Sequence, residues 1–330
     1  MNIYSTNEWD PLKKVIVGVA DYCRIPEMDK SLRCINYADK ENVSEVKSGL
    51  YPEQVIEESN EDLDIFVNFL KGEGVEVVRP NRSSKVEYYN YCPRDTVFVY
   101  EEKLLATPMS LRARSREYRH MLPHVAGIEV SPQYKKDDLY DESCIGDPNK
   151  LALTEVAPCF DAANIIRANE DILYLVSNSG NKAGATYLEN WINNSAERVN
   201  VKVHTLEDVY SYMHIDSTIA FLREGLLLAN PLRIKNKDVL PLPFQNWDII
   251  WSPEPVDIGH YPGYCNSSAW INVNLFSVNP NLVVLEEHQD PTRKALESHG
   301  IECAMLPLRH SRTLGGCFHC CTLDLVREVS

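Results

Sequence analysis

The feature that most constrains the fold is a loose recurrence along the chain. Residues 55–78, VIEESNEDLDIFVNFLKGEGVEVV, carry Ile56, Leu63, Phe66 and Leu70 at helical spacing, then a glycine break, then a β-like run over 75–78. REYRHMLPHVAGIEV, YLENWINNSAERVNVKVH, PLPFQNWDIIW and RKALESHGIECAML repeat the order of helix or short turn, polar or glycine break, and short strand. Pro123 and Pro243 rule out a regular helix in the first and third of these four. Between the units lie KKVIVGVA, TVFVYEEKLLATPM, NIIRANEDILYLVSN, TIAFLREGLLLANP and NLVVLEE, most of which read as paired strands turning at a charged or Gly/Asn-containing bend. Five rounds of strands plus helix favour one circular α/β assembly, a single domain over 1–330, rather than two domains.

Composition narrows the function. The formal net charge of −15 disfavours nucleic acid, whose phosphates demand Lys/Arg patches, and mildly favours approach of a cationic small molecule. The start, MNIYSTNEWDPLKKVIVG, lacks a basic segment followed by an apolar run, and no run of about 18 apolar residues occurs. A cytoplasmic protein with no membrane partner is expected.

Of the ten cysteines, seven (Cys23, Cys34, Cys92, Cys144, Cys159, Cys265 and Cys303) are scattered singly, as buried thiols are in a reducing compartment. The other three crowd into LGGCFHCCTLD, residues 314–324. Zinc wants four N/S ligands, and CFHCC has no second CxxC to complete a site. A catalytic thiol needs less: a distant histidine to move protons and a carboxylate to orient it. YMHIDST, read as extended chain, projects His214 and Asp216 to one face and Met213 and Ile215 to the other. PCFDAANIIRAN places Asp161 and Asn164 around two alanines before an apolar strand, and CPRDTVFVY places Asp95 at a strand entrance with Arg94 as its expected salt-bridge partner. ANPLRI and CNSSAW add Arg233, Ser267 and Ser268, which suit an amino-acid carboxylate and amine or are simply loop polar groups.

Taken in order, NEWDPLKKVIVG, EGVEVVRP, CPRDTVFV, TPMSLRARSREYR, PCFDAANIIRA, MHIDST, ANPLR, NSSAW and GGCFHCCTLD resemble the glycine amidinotransferase family, within the guanidine-modifying group that includes arginine deiminases. The likeness runs from residue 7 to 324. It implies a five-bladed α/β propeller of pseudo-fivefold ββαβ modules around a central active-site channel, with no cofactor and no metal. The implied reaction moves the amidino group of L-arginine through a covalent cysteine intermediate to a small amine acceptor, releasing L-ornithine. By the resemblance Cys320 is the nucleophile, and His214 protonates the leaving amine and then deprotonates the acceptor. Asp161 pairs with that histidine, Asp95 and Asp216 take the guanidinium edges, Arg233 holds the amino-acid carboxylate, and Met213, Ser267 and Ser268 line the same pocket. Several relatives pair as homodimers.

Three stretches depart from the pattern: Asn164 replaces a frequent second aspartate, Cys317 replaces a third glycine, and NSGNKAGATYL differs after the FDAA strand. They leave the acceptor open among glycine, lysine and a specialised-metabolite amine. Hydrolysis of arginine to citrulline and a silent arginine-binding protein are the alternatives. Cys317 and Cys321 read as packing residues. His319 is set aside as the base because neighbours on an extended segment point to opposite sides.

Overall fold

The computed structural model describes residues 3–38, 43–147, 150–195, 197–198 and 200–328. Strand β1 (Leu12–Val17) is followed by a small ribbon, β2 (Arg24–Ile25) and β3 (Gly49–Leu50), with helix α1 (Lys30–Ile35) between them. Helix α2 (Glu53–Gly72) buries Leu63, Phe66 and Leu70 of the expected stripe, with Val55 buried and Ile56 only half-buried at its start, and leads to β4 (Glu76–Val78), parallel to β1. Hairpin β5 (Val97–Tyr100) and β6 (Lys103–Ala106) is joined through a 3-10 turn, Glu117–His120, to β7 (Ile128–Val130). Next come β8 (Ile165–Ala168), β9 (Asp171–Leu175), helix α3 (Lys182–Ser195) and β10 (Lys202–Leu206). The fourth unit is β11 (Ile219–Arg223), β12 (Leu226–Ala229), 3-10 turns at Lys237–Val239 and Leu242–Phe244, and β13 (Asp248–Trp251). The last is β14 (Phe276–Asn279), β15 (Leu282–Glu286), helix α4 (Asp290–Glu297) and β16 (Glu302–Leu306), before a short helix α5 (Ser311–Leu314) and β17 (Thr322–Arg327).

These strands make five three-stranded sheets of one plan, an antiparallel pair followed by a parallel third strand: β5-β6-β7, β8-β9-β10, β11-β12-β13, β14-β15-β16 and β17-β1-β4. The last sheet joins the final strand to the first, so the ring closes through the chain ends. Burial grades across each sheet. Strands β5, β8 and β17 are buried at every position, whereas β7, β13 and β16 are largely exposed or half-buried. A strand covered on both faces reads as a continuous apolar run, which is why VFVY and LLLA stood out in the sequence. The proline-containing connections shorten to 3-10 turns because proline lacks the N–H that an α-helix interior needs.

Five apolar clusters sit between neighbouring sheets and complete the circle. Val99 packs with Leu325, Phe98 with Tyr174, Leu173 with Phe221, Leu228 with Leu285, and Val15 with Val284, each pair within one cluster. The architecture is a five-bladed α/β propeller. All ten cysteines are free thiols, and no described helix is long and apolar enough to cross a membrane.

The axis is polar. Asp324 on β17 accepts from Arg94 Nη2 at 2.7 Å, Arg167 Nη2 at 2.5 Å and Arg327 Nε at 2.7 Å. Glu8, in the N-terminal segment bridged to Glu101 and Ala168, takes Arg167 Nε at 2.8 Å and Nη2 at 3.0 Å. Burial alone would raise the Asp324 carboxyl, but the three guanidinium groups hold it well below the usual range. A depressed folded pKa means that the stabilisation is present above the unfolded value of about 3.9 and is lost as pH falls through the folded one. Asp324→Asn leaves buried guanidinium groups short of a charge and is expected to cost about 3–5 kcal/mol in urea unfolding at neutral pH. The deficit against the wild type should shrink as both are taken to strongly acidic pH.

Candidate active site

Each blade enters its inner strand through a tight turn, and each of these turns delivers one or two polar side chains to the site. Asp95 lies in the 3-10 turn Pro93–Asp95 before β5, and Asp161 caps the 3-10 turn Ala162–Asn164 before β8. His214 and Asp216 flank the start of the turn Ile215–Ser217 before β11. Asn274 precedes β14, and Cys320 precedes β17. YMHIDST is therefore not extended at the site: backbone carbonyls close a 3-10 turn, and Met213, His214 and Asp216 all line one cavity while Ile215 is buried in an apolar cluster.

The Cys320 thiol is 2% exposed and lies 2.8 Å from Asp216 Oδ2, to which its S–H donates, while Asn274 Nδ2 donates to the sulfur at 2.9 Å. Contact with the Cys92 thiol, burial and the Asp216 carboxylate push the Cys320 thiol well above its usual range, opposed by His214. The glycine pair before it has two different reasons. Gly315 ends α5 at φ +94°, a left-handed cap that a side chain resists. At Gly316 an added Cβ would stand 2.3 Å from Cys320 Cβ and 2.6 Å from its Sγ.

His214 Nε2 is 3.0 Å from Asp161 Oδ2, and the other oxygen of Asp161 accepts from the Ser110 backbone N–H and hydroxyl, both at 2.9 Å. Burial works against the imidazolium, but Asp95, Asp161 and Cys320 outweigh it and raise His214 well above its ordinary value. Asp95 pairs with Arg114 Nη1 at 2.5 Å, not with Arg94, which the axial cluster claims. Asp95 is not part of the cavity lining, and its Oδ1 is buried behind it without a hydrogen-bond partner, 3.8 Å from His214 Nδ1. Such an oxygen is an acceptor left for a cation.

The cavity above these groups has a volume of about 430 Å³. Arg233 lies on one wall, its Nη1 donating to Ser217 and Thr218 hydroxyls at 2.7 and 2.8 Å and its Nη2 to Ser268 at 3.2 Å, with the guanidinium 3.4 Å over the Tyr210 ring. Burial lowers its pKa, opposed by Tyr210 and Asp216. Ser267, Met213 and Cys317 also line the cavity, so Cys317 does narrow it, whereas Cys321 is buried among apolar neighbours. Asn36, Tyr37, Tyr88, Tyr89 and Asn266 form a hydroxyl- and amide-rich wall opposite.

Asn164 does not reach the cavity. Its Nδ2 donates to Leu175 O and Ser177 Oγ, and its Oδ1 accepts from Ser179 Oγ at 2.7 Å. Two departures, Asn164 and the unusual segment after the FDAA strand, are one compensated unit: an amide can both give to and take from the serines of that loop, which a second carboxylate cannot. His319 also corrects expectation. Residues 318–321 form a turn, and His319 Nδ1 sits 3.3 Å from Asp216 Oδ2, outside the cavity lining but in contact with the same carboxylate as Cys320. Asn274 and Tyr210 escaped the sequence reading because neither belongs to a quoted stretch, while Ser110 and Arg114 sit within TPMSLRARSREYR, where nothing set them apart from its other polar residues. Among the described residues, the group close enough to share a metal ion is Glu286, Glu287 and His288, and none of them lines the cavity.

The architecture and the axial cysteine cavity place the chain among the guanidine-modifying α/β propellers. No family model matches the chain. It is 38% identical over 344 residues to inosamine-phosphate amidinotransferase 1 of Streptomyces glaucescens, covering 98% of this chain and 96% of that protein. It is 31% identical to L-arginine:L-lysine amidinotransferase of Pseudomonas savastanoi pv. phaseolicola over 99% of this chain and 94% of the relative. The solved inosamine-phosphate amidinotransferase of Streptomyces griseus superposes with a TM-score of 0.92 at 37% identity, over 99% of this chain and 97% of that one. The chain belongs to the amidinotransferase family.

Gly316→Ala must displace the turn that carries Cys320, and a misplacement of this size is expected to slow amidino transfer by about a hundredfold. Steady-state kinetics beside a thermal melt would check it, with a much smaller loss in the melt than in kcat.

Proposed function

We propose that this amidinotransferase takes the amidino group from L-arginine onto Cys320 and passes it to a primary amine. The supporting observation is the placement of the Cys320 sulfur at a cavity against Asp216, beside the His214–Asp161 pair and near the Asp95 oxygen that lacks a hydrogen-bond partner. A guanidinium is planar and offers N–H donors along its edges, so Asp95 and Asp216 are matched acceptors that fix the plane the sulfur attacks. Arg233, held by three hydroxyls, is the counter-ion for the α-carboxylate, with Ser267, Ser268 and Met213 completing that wall.

The bonds balance in two halves. Arrival of the cation offsets the negative charge beside Cys320, and the thiol releases its proton to solvent, to be regained when the product leaves. The thiolate bonds to the central guanidino carbon, the bond from that carbon to the ornithine nitrogen breaks, and His214 supplies the proton that leaves with ornithine. The acceptor nitrogen then attacks the same carbon, its proton passes to His214, and the thiolate is expelled. Asp161 holds the imidazole through both halves, and the raised pKa of His214 keeps that imidazole charged for the first. The whole propeller serves as one domain, in the cytoplasm, where ten free thiols stay reduced.

For the acceptor we infer an amine on a polar, hydroxylated skeleton. Identity to the inosamine-phosphate amidinotransferase of Streptomyces glaucescens, 38%, exceeds the 31% to the lysine enzyme and the 29% to the Danio rerio glycine amidinotransferase. The hydroxyl- and amide-rich wall also suits hydroxyl groups better than an aliphatic chain.

Two measurements test these readings. Labelled ornithine should exchange into arginine with no acceptor present, initial-rate plots should run parallel, and Cys320→Ser should abolish the exchange. Intersecting plots without exchange would remove the covalent intermediate. In a panel of amines with labelled arginine, amino-cyclitols should outpace glycine and lysine; preference for glycine would reverse the acceptor assignment, and citrulline in place of a guanidino product would make the protein a hydrolase.

A further inference from the structure

Four of the five blade-entry turns supply groups with an expected role, and the fifth supplies Asn274. We propose that Asn274 is a positioning residue that holds the Cys320 sulfur in its attacking place and donates a hydrogen bond to the thiolate before its attack and again when it is expelled. The inference rests on Cys320 being the nucleophile.

Asn274 is 5% exposed and clamps the nucleophile turn at three points. Its backbone carbonyl accepts from His319 N at 3.4 Å, its Oδ1 accepts from Cys320 N at 3.2 Å, and its Nδ2 donates to Cys320 Sγ at 2.9 Å. The middle contact settles the amide's orientation. A backbone N–H only donates, so the side-chain oxygen must face it and the NH2 must face the sulfur.

The two polar contacts of the sulfur are opposite in kind. Asp216 accepts from the thiol and opposes the thiolate, whereas the Asn274 N–H favours the thiolate and has no reason to leave when the guanidinium binds Asp216. After the acceptor's attack the sulfur departs as an anion, and the same donor receives it. Asn274 itself is pinned by a backbone bond from its N–H to Ile271 O at 3.1 Å in the turn before β14.

The test uses the full-length protein with two near-isosteric changes. Asn274→Asp keeps the acceptor for Cys320 N–H and loses the donor to sulfur; Asn274→Leu loses both without adding charge. Iodoacetamide alkylation is followed at the Cys320 peptide by mass spectrometry from neutral to alkaline pH, alongside arginine–ornithine exchange and a thermal melt. Expected in both variants is alkylation slowed roughly tenfold at a given pH, with kcat for exchange down roughly tenfold to a hundredfold and KM for arginine nearly unchanged. Wild-type alkylation profiles in both variants overturn the proposal. So does a change confined to Asn274→Asp, which would report only charge repulsion. If one variant fails to fold, an unchanged profile in the other is sufficient to overturn it. Cys320→Ala separates the two assignments: exchange at the wild-type rate in that variant removes Cys320 as nucleophile, while the alkylation profiles still report what Asn274 does to the sulfur.

Discussion

The carboxylate of Asp324 is the point on which the rest of the molecule turns. Three guanidinium groups converge on it from β17, from β8 and from the turn before β5, and Arg167 carries the network on to Glu8 in the N-terminal segment. An ion buried this deeply is tolerated only when its partners are held in place, so the cluster has a defined geometry or none. It therefore fixes the inner strands of adjacent blades against one another where apolar packing, which is non-directional, would allow them to slide. The order reaches the site directly. Arg94, bound to Asp324, also donates from Nε to the His319 carbonyl at 2.8 Å, one residue before Cys320.

Pseudo-fivefold symmetry explains how a cavity can draw on residues spread from Asp95 to Cys320. Each inner strand is approached by a turn at the same end of its blade, and the turn places a polar residue two to four positions before the first strand residue. Asp95 stands two before Val97, Asp161 four before Ile165, Asp216 three before Ile219, Asn274 two before Phe276 and Cys320 two before Thr322. The five turns converge around one axis, and every side chain that arrives is held by the rigid strand behind it.

Much of this was legible in the sequence, for physical reasons that differ by element. The apolar stripe of α2 and the buried hairpins announce themselves through periodicity and through turns such as ANED and REGL. A circular assembly was expected, but the strands that close it were not readable, because closure depends on β17 meeting β1 across the whole chain. At the site, extended geometry was the wrong assumption for MHID and for FHCC: side chains in bends and turns do not alternate, so Met213 reaches the cavity and His319 reaches Asp216. Asn274, in INVNLF, carried no motif. Its one signal is positional, a polar residue immediately ahead of a buried apolar strand, the same offset that marks Asp95 and Cys320.

The electrostatics of the cavity favour transfer of a group from a cation. Asp95 keeps one buried oxygen unpartnered, and Asp216 shares its Oδ2 with a thiol rather than with a full positive charge. A buried carboxylate without full compensation is costly, and the deficit is removed when a guanidinium lies between the two. The same event removes the Asp216 share of the opposition that keeps the Cys320 thiol protonated, beside the contact with Cys92 and burial, and sets a cation against the sulfur. In the proposed mechanism the nucleophile is thus inert while the cavity is empty and becomes reactive only against the molecule it is meant to attack. Once ornithine has left, the amidino group on sulfur still carries a positive charge and occupies the place of the guanidinium between Asp95 and Asp216. The carboxylates that bound the donor then hold the intermediate, and water gains no advantage from their attraction. An amine seated against the tyrosine and asparagine wall is positioned by its own contacts, so the partition between transfer and hydrolysis is decided there rather than at the sulfur.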